Sequence, residues 1–344
     1  MKQINCIIRV DASTYIGKGH LVRCLILAKF LAKKKWKISF ISLEKQAKKE
    51  IERSGFACYL IKSNDKVPNY LISILSKNIV ITDVNTSKLF SSQQKYKKYL
   101  NNLHEQADLL ITFEDMIDIP YSADIVIIPY CGAGEIKLDT KNQNSTYLLG
   151  PSYFPLKQEL QIKKKDISNK VNNIIITMGG SDPEKITLKV LRALNEIKLD
   201  SCITVILGNL CQIKDEEIKN CSKKIIENIS IKRNLEDVSG VFIKGDIAFT
   251  NSGLTKYELA AVGVPMIILS NNFEQSKFSG LFSLDSLSIN LGYHVMVDQS
   301  QIVEAFKELA SDKVRRKKIV DAGRKLVNGK GIQEIYKEIK ISLE

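Results

Sequence analysis

The chain has 344 residues, of which 44% are hydrophobic and 26% charged, and it carries a formal net charge of +13 at pH 7. These values suit two soluble domains of ordinary size. They exclude a membrane-spanning chain, because no run approaches the roughly 20 apolar residues a bilayer requires.

In chain order, Asn5 to Val10 reads as a buried strand. A helix follows from about His20 to Lys34, with Leu21, Leu25, Ala28 and Ala32 near one face. Trp36 to Leu43, Ala57 to Ile61, Ile79 to Thr82, Leu109 to Phe113 and Ile125 to Ile128 are short apolar runs separated by helical spacers. That pattern indicates a parallel sheet. Gly150-Pro151 opens a polar connector, and a second series begins at Asn173. Strands are expected at Asn173 to Thr177, Ile203 to Leu207, Ile247 to Thr250 and Val264 to Leu269. Helices are expected from Pro183 to about Ile197 and from Asn251-Ser252-Gly253 through Ala261. The expected architecture is therefore α/β, with two Rossmann-like domains whose parallel sheets face a central cleft. The domains are placed at 1–155 and 171–344, with a linker at 156–170.

Met1 to Val10 does not read as a signal peptide, since Arg9 and Asp11 close its apolar stretch, so a cytoplasmic protein is expected. The lysine groups at 33–35 and 163–165, and the run Arg315-Arg316-Lys317-Lys318, have no interleaved aromatics. They read as a solvated surface rather than a nucleic-acid groove. Seven cysteines without a Cys-x-x-Cys pair read as reduced, mostly buried thiols. Three well-separated histidines offer no metal spacing.

Three turns carry the candidate chemistry. The first runs from Arg9 to His20, after strand one. Gly17 and Gly19 allow close backbone approach and positive φ, and the helix start attracts anions. The positive end of the helix disfavours an imidazolium at His20, which leaves a neutral base. A helix cap with a surface histidine fits the same spacing. The second turn is Met178-Gly179-Gly180-Ser181-Asp182-Pro183. It reads as a diphosphate cradle or as a plain capped turn, with Ser181 or Asp182 as the cap and Pro183 in the first helical turn. The third runs from Asn251 to Glu258. Its helix start suits phosphate, and Glu258 has the capacity to accept two ribose hydroxyls, although an exposed helix carboxylate explains it too. Asp83, Glu114 and Asp115 end strands and read first as turn caps.

Together, Arg9-x-Asp11-x-Ser13-x-x-Ile16-Gly17-x-Gly19-His20-x-x-Arg23-Cys24-x-x-Leu27-Ala28, Gly150-Pro151-x-Tyr153-x-x-Leu156 and Met178 to Pro183 resemble a known family. It is the UDP-2,4-diacetamido-2,4,6-trideoxy-β-L-altropyranose hydrolase family of pseudaminic acid biosynthesis. Asn251 to Pro265 is similar to the nucleotide-binding segment of MurG-type glycosyltransferases. The resemblance implies a glycosyltransferase-B architecture and inverting C1–O cleavage of a UDP-amino sugar, with water activated by His20. It implies sugar contacts at Asp11, Ser13, Gly17, Gly19, Asn85 and Tyr153. It implies nucleotide contacts at Gly179, Gly180, Ser181, Ser252, Gly253, Leu254 and Glu258. No metal and no cofactor are implied. The expected partner is the UDP-sugar alone, without nucleic acid or membrane insertion, bound by a monomer.

The chain departs from the family pattern at Asp83-Val84-Asn85, where an Asp-x-Tyr is common, at Leu254 and Lys256, and at Lys157-Gln158. These departures leave room for another sugar, or for an inverting glycosyltransferase on the same scaffold. A non-catalytic polyanion binder is the third reading, and it predicts binding with a steep salt dependence and no turnover.

Overall fold

The structure, a computed structural model, describes residues 4–13, 17–63, 78–85, 89–114, 122–135, 145–161, 166–284 and 287–344. Thr14 to Ile16, Asp115 and the lysines at 163–165 lie outside them. The chain divides into two compact units, Met1–Leu156 with Lys330–Glu344, and Lys157–Gly329.

The first unit holds seven strands: β1 (Asn5–Val10), β2 (Lys37–Ser42), β3 (Ala57–Leu60), β4 (Asn78–Asp83), β5 (Leu109–Phe113), β6 (Ile125–Ile128) and β7 (Thr146–Leu149). They pair in the order β3-β2-β1-β4-β5-β6-β7, and every pairing is parallel. Among the described residues up to Leu156, its helices are α1 (Gly19–Lys33), α2 (Lys45–Arg53) and α3 (Gln93–His104). One face of the sheet packs Ile8, Val10, Phe40, Ile79 and Ile81 against α1 and α2. The other packs Ile7, Val80, Leu110 and Val126 against Tyr96, Tyr99 and Leu100 of α3. The buried face of α1 runs through Leu21, Cys24, Leu27, Ala28 and Leu31, while Ala32 faces water. The buried stripe is centred on Cys24, Ala28 and Leu31, with Leu25 partly buried at its margin and packed on the same core.

The second unit holds β8 (Asn173–Thr177), β9 (Cys202–Leu207), β10 (Ile229–Arg233), β11 (Ile247–Thr250), β12 (Met266–Ser270) and β13 (Ile289–Tyr293). They pair in the order β10-β9-β8-β11-β12-β13, again all parallel. Its helices are α4 (Ile186–Leu194), α5 (Asp215–Cys221), α6 (Ser239–Phe242), α7 (Thr255–Val262), α8 (Phe273–Leu284), α9 (Gln299–Ser311) and α10 (Lys313–Leu326). Arg316, expected on a solvated surface, is instead 1% exposed. Its guanidinium donates to the carbonyls of Leu309 and Ser168 at 2.8 Å each and pins α10 to the start of the unit.

The last helix, α11 (Gly331–Ser342), corrects the expected domain boundary. Ile332, Ile335 and Ile339 join the core of the first unit, and the Tyr336 ring lies 5.6 Å from Phe30 and 5.9 Å from Trp36. The helix begins at a glycine because a Cβ at position 331 would stand 2.3 Å from the Phe154 carbonyl oxygen. The connector segment from Lys157 belongs to the second unit, where Gln161 donates to the Gly329 carbonyl at 2.9 Å. No described helix is long and apolar enough to cross a membrane.

In each sheet the strand order reverses once, between β1 and β4 and between β8 and β11. Loops on either side of such a switch point diverge and leave a crevice beyond the strand ends, where ligands of open α/β sheets bind. Val10 pairs with Asp83 at the first point, and Thr177 pairs with Thr250 at the second. The candidate residues other than Tyr153, which comes after β7, follow these four strand ends.

Candidate functional site

At the first switch point, Gly17 takes φ +90° and its N–H donates to the Ser13 carbonyl at 2.8 Å. This is the left-handed conformation expected there. Gly19, for which the same was expected, is simply the first residue of α1. Lys18 stands at the N-cap position without a side-chain cap, and its ammonium pairs with Glu50. His20 is the second residue of α1, with its side chain 11% exposed.

The imidazole does not stand alone. Its Nδ1 lies 2.6 Å from Oδ1 of Asp83, the last residue of β4. Arg23, one turn along α1, grips the same carboxylate with Nε at 2.5 Å and Nη2 at 2.6 Å. Its Nη1 donates to the Tyr130 hydroxyl, and its guanidinium carbon lies 5.1 Å from the Phe113 ring centroid. The Cys24 thiol completes the surroundings, 3.4 Å from Oδ2 of Asp83. Burial alone pushes the Asp83 carboxyl up, but Arg23 and His20 outweigh it and bring the pKa down to about 2. Asp83 is therefore an anion at neutral pH and a proton acceptor only. A nitrogen held against an ionised carboxylate carries a proton, so Nδ1 of His20 is the donor in this pair.

Asp83 was read first as a turn cap, and the structure makes it the centre of this array. Nothing in the local sequence distinguishes it, because its partners lie 60 and 63 residues away. Asp11, expected to touch sugar, is 1% exposed and fully engaged inside the unit. It accepts from Arg9 at 2.6 Å, the Ser42 hydroxyl at 2.8 Å and the Leu43 N–H at 2.7 Å, so its role is to join β1 to the end of β2. Glu114, buried at the end of β5, accepts from Tyr96 and from Thr112 at 2.5 Å. Asn85 lies two residues beyond Asp83, half buried, and its carbonyl accepts the Leu89 N–H. Tyr153 packs on the core, and its hydroxyl is pushed up by burial and by Glu338 and Glu334 of α11. That environment ties Tyr153 to the helix return.

At the second switch point, two loops are tied by one side chain. Asn251, 8% exposed, donates from Nδ2 to the Met178 carbonyl at 2.6 Å, and its Oδ1 accepts the Gly253 N–H at 3.1 Å. Gly179 takes φ +77° beneath it, and a Cβ there would meet Nδ2 at 3.3 Å. The loop after β9 seals the other side, where a Cβ on Gly208 would stand 2.4 Å from the Gly180 carbonyl oxygen. Asn251 and Gly208 hold the Gly179-Gly180-Ser181 loop in place, and sequence reading assigned neither that task. Asp182 caps α4 by accepting the N–H groups of Ile186 at 2.8 Å and Thr187 at 3.0 Å. Lys185 takes φ +52°, so the helix begins at Ile186 and Pro183 falls in the preceding turn, outside the first helical turn where it was expected.

Helix α7 begins behind Leu254 with no side-chain cap. A helix start without a side-chain cap is suited to an anion, and Ser252 and Gly253 border it. The Ser252 hydroxyl meets that of buried Ser270, and Lys256 lays its ammonium 3.0 Å from the Ser252 carbonyl. Glu258 follows in the first turn, half buried. Among the described residues its carboxylate has no hydrogen-bond or ion-pair partner. Burial raises its pKa, offset in part by Lys157. A sheltered, unpaired carboxylate beside an anion-binding helix start is suited to accept hydroxyl donors.

Two Rossmann-like units with parallel sheets of seven and six strands define a glycosyltransferase-B fold. MurG of Acinetobacter baumannii superimposes with a TM-score of 0.70 at 12% identity, covering 98% of this chain and 99% of that one. A UDP-N-acetylglucosamine 2-epimerase gives 0.64 at 14% identity, over 98% and 96% of the two chains. Among curated proteins, the uncharacterized protein MJ1062 of Methanocaldococcus jannaschii is 30% identical over 278 residues, 76% of this chain and 54% of its own length. The spore coat polysaccharide biosynthesis protein SpsG of Bacillus subtilis is 25% identical over 217 residues, 60% of this chain and 63% of its own. The chain thus spans about half to two thirds of the curated relatives it matches. No family model matches it.

Proposed function

We propose that this chain hydrolyses a UDP-activated amino sugar of the 2,4-diacetamido-2,4,6-trideoxyhexose class. The products are UDP and a free sugar destined for a nonulosonic acid of the pseudaminic type. The observation that carries this reading is the His20–Asp83 pair, in which the carboxylate holds the proton on Nδ1 and directs Nε2 to the task of taking one from water. As Nε2 accepts that proton, the water oxygen attacks C1, and the C1–O bond to the diphosphate breaks with its electron pair leaving on UDP. Attack opposite the leaving group inverts the anomeric centre. The reading assigns the diphosphate to Gly179, Gly180, Ser181, Ser252, Gly253 and the start of α7, whose N–H groups stabilise departing charge. It assigns the ribose to Glu258. The glycosyltransferase-B fold and the polysaccharide-biosynthesis name of SpsG support a sugar-nucleotide substrate.

The test is incubation with a panel of UDP-amino sugars and no acceptor, with products followed by NMR. Stoichiometric free sugar of inverted configuration is expected. Donors that stay intact until a hydroxyl acceptor is added would replace the hydrolase with an inverting glycosyltransferase.

A further inference from the structure

Lys157 is the first residue of the second unit, and it leads into a single 3-10 turn, Gln158–Leu160, that packs on α7. Leu160 is buried and anchors the turn. The half-buried Lys157 side chain brings its ammonium 3.4 Å from the Glu236 carbonyl, in the loop after β10. The connector, that loop and the first turn of α7 therefore meet around one cation. The geometry points to Lys157 as a positioning residue for the nucleotide, whose ammonium supplies the charge opposite Glu258 and anchors the loop after β10 beside it. This rests on the reading that Glu258 receives the ribose.

Two carboxylates feel this ammonium, those of Asp237 and Glu258. Asp237 is exposed and already engaged, accepting the Ser239 N–H at 2.8 Å and the Ser239 hydroxyl at 2.7 Å. Glu258 is half buried and has no such donors among the described residues. Burial pushes its carboxyl up, and Lys157 is the charge that works against burial there. The other charges around α7 are engaged elsewhere or face water. Lys256 lays its ammonium on the Ser252 carbonyl, over the rings of Tyr257 and Phe282. Arg324 of α10 reaches the Val262 carbonyl, at the far end of α7. Asp321 and Lys325 of α10 and Glu159 of the connector turn are exposed, and α6 and β11 carry no charged residue.

The ionisation state of Glu258 decides what it offers a ribose. An ionised carboxylate is an acceptor at both oxygens, whereas the acid commits one oxygen to its own O–H. Removing the ammonium leaves burial unopposed and tilts Glu258 toward the acid. Methionine at 157 keeps an apolar stem without the charge, and arginine keeps the charge. Solvent reaches the half-buried ammonium and screens it, so the effect is modest.

The experiment pairs two readouts on the full chain. The first follows the side-chain carboxyl 13C signal of Glu258 with pH in the free protein, assigned by its loss in Glu258→Gln. In Lys157→Met its titration midpoint is expected to rise by about half a unit, and in Lys157→Arg to return close to wild type. The second is UDP affinity from pH 4.5 to 8. Lys157→Met is expected to bind up to about 3-fold more weakly on the acidic side of the midpoint and to converge with wild type at the alkaline end, since half a pKa unit is a factor of about 3. In the Glu258→Gln background the same substitution is expected to change nothing. A Glu258 midpoint within about 0.2 unit of wild type in Lys157→Met overturns the proposal. So does a loss of UDP affinity that is equal at every pH, that persists without the Glu258 carboxylate, or that arginine does not restore. A chain that binds no UDP overturns the nucleotide assignment and this inference together. One that binds UDP as expected and cleaves no UDP-sugar retires the proposed hydrolysis and leaves the inference standing.

Discussion

His20 and Asp83 meet at 2.6 Å across the first switch point, one at the start of α1 and the other at the end of β4. Strand pairing brings them together, since Val10, just before the loop that carries His20, lies in register with Asp83. The dyad is thus a product of sheet topology. Removing the carboxylate therefore tests the proposed chemistry and stability together.

Asp83→Asn is expected to lower turnover by about 100-fold or more, because the amide no longer fixes the tautomer. It also leaves Arg23 buried without its anion, a change that costs about 3–5 kcal/mol. The folded-state pKa of Asp83 is depressed to about 2, so its contribution is present above the unfolded value near 4 and is lost as pH falls through about 2. That contribution is about 2 kcal/mol. Urea titrations between pH 2 and 7 should show wild type losing this increment on acidification while Asp83→Asn does not.

His20→Ala is expected to keep UDP affinity within a few-fold and to lose turnover by about 100-fold or more. Calorimetry with UDP and an initial-rate assay separate the two effects. Near-normal rates would remove His20 from the mechanism.

Asn251→Ala should loosen both loops of the second switch point. It leaves the Met178 carbonyl and the Gly253 N–H short of a partner, at a cost of about 1–3 kcal/mol. UDP affinity is expected to fall by about 10-fold, equivalent to about 1.4 kcal/mol. Gly208→Ala, which adds only a methyl group but presses it onto the Gly180 backbone, should weaken UDP binding in the same direction. Unchanged affinity in both variants would separate these loops from the nucleotide.

Glu258→Gln tests a conflict between stability and binding. Burial raises the Glu258 pKa, so its ionised form is disfavoured in the folded chain, and that penalty grows as pH rises above the unfolded value. The amide should therefore leave thermal stability at pH 7 unchanged or raised. UDP affinity is expected to fall in the same variant, and wild-type affinity should weaken as pH drops through the raised pKa. Differential scanning calorimetry and UDP titrations at several pH values check both halves. A binding curve flat with pH would take the ribose away from Glu258.

Much of the fold was legible because a central parallel strand is apolar on both faces. β1, β4, β5, β6, β8 and β11 each read as a short continuous run for that reason. β7, β10 and β13 escaped notice, and all three are edge strands. β10, with Lys232 and Arg233 exposed, alternates like a loop, and β13 contains Gly292. The site was legible where a glycine pattern met a helix start, as at Gly17 to His20. It was illegible at Asp83, Arg23, Asn251 and Gly208, whose significance comes from partners brought in from distant strands. The same limit explains Asp11: an aspartate after a strand looks alike whether it faces a ligand or ties β1 to β2.

The return of α11 to the first sheet has a consequence for biosynthesis. Ile332, Ile335 and Ile339 leave the ribosome only after every residue of the second unit has been made, so the N-terminal unit waits, one face uncovered, while its neighbour folds. A fragment ending at Leu156 would never receive that cover. It should aggregate on expression, whereas the same fragment fused through a short linker to Lys330–Glu344 should remain in solution.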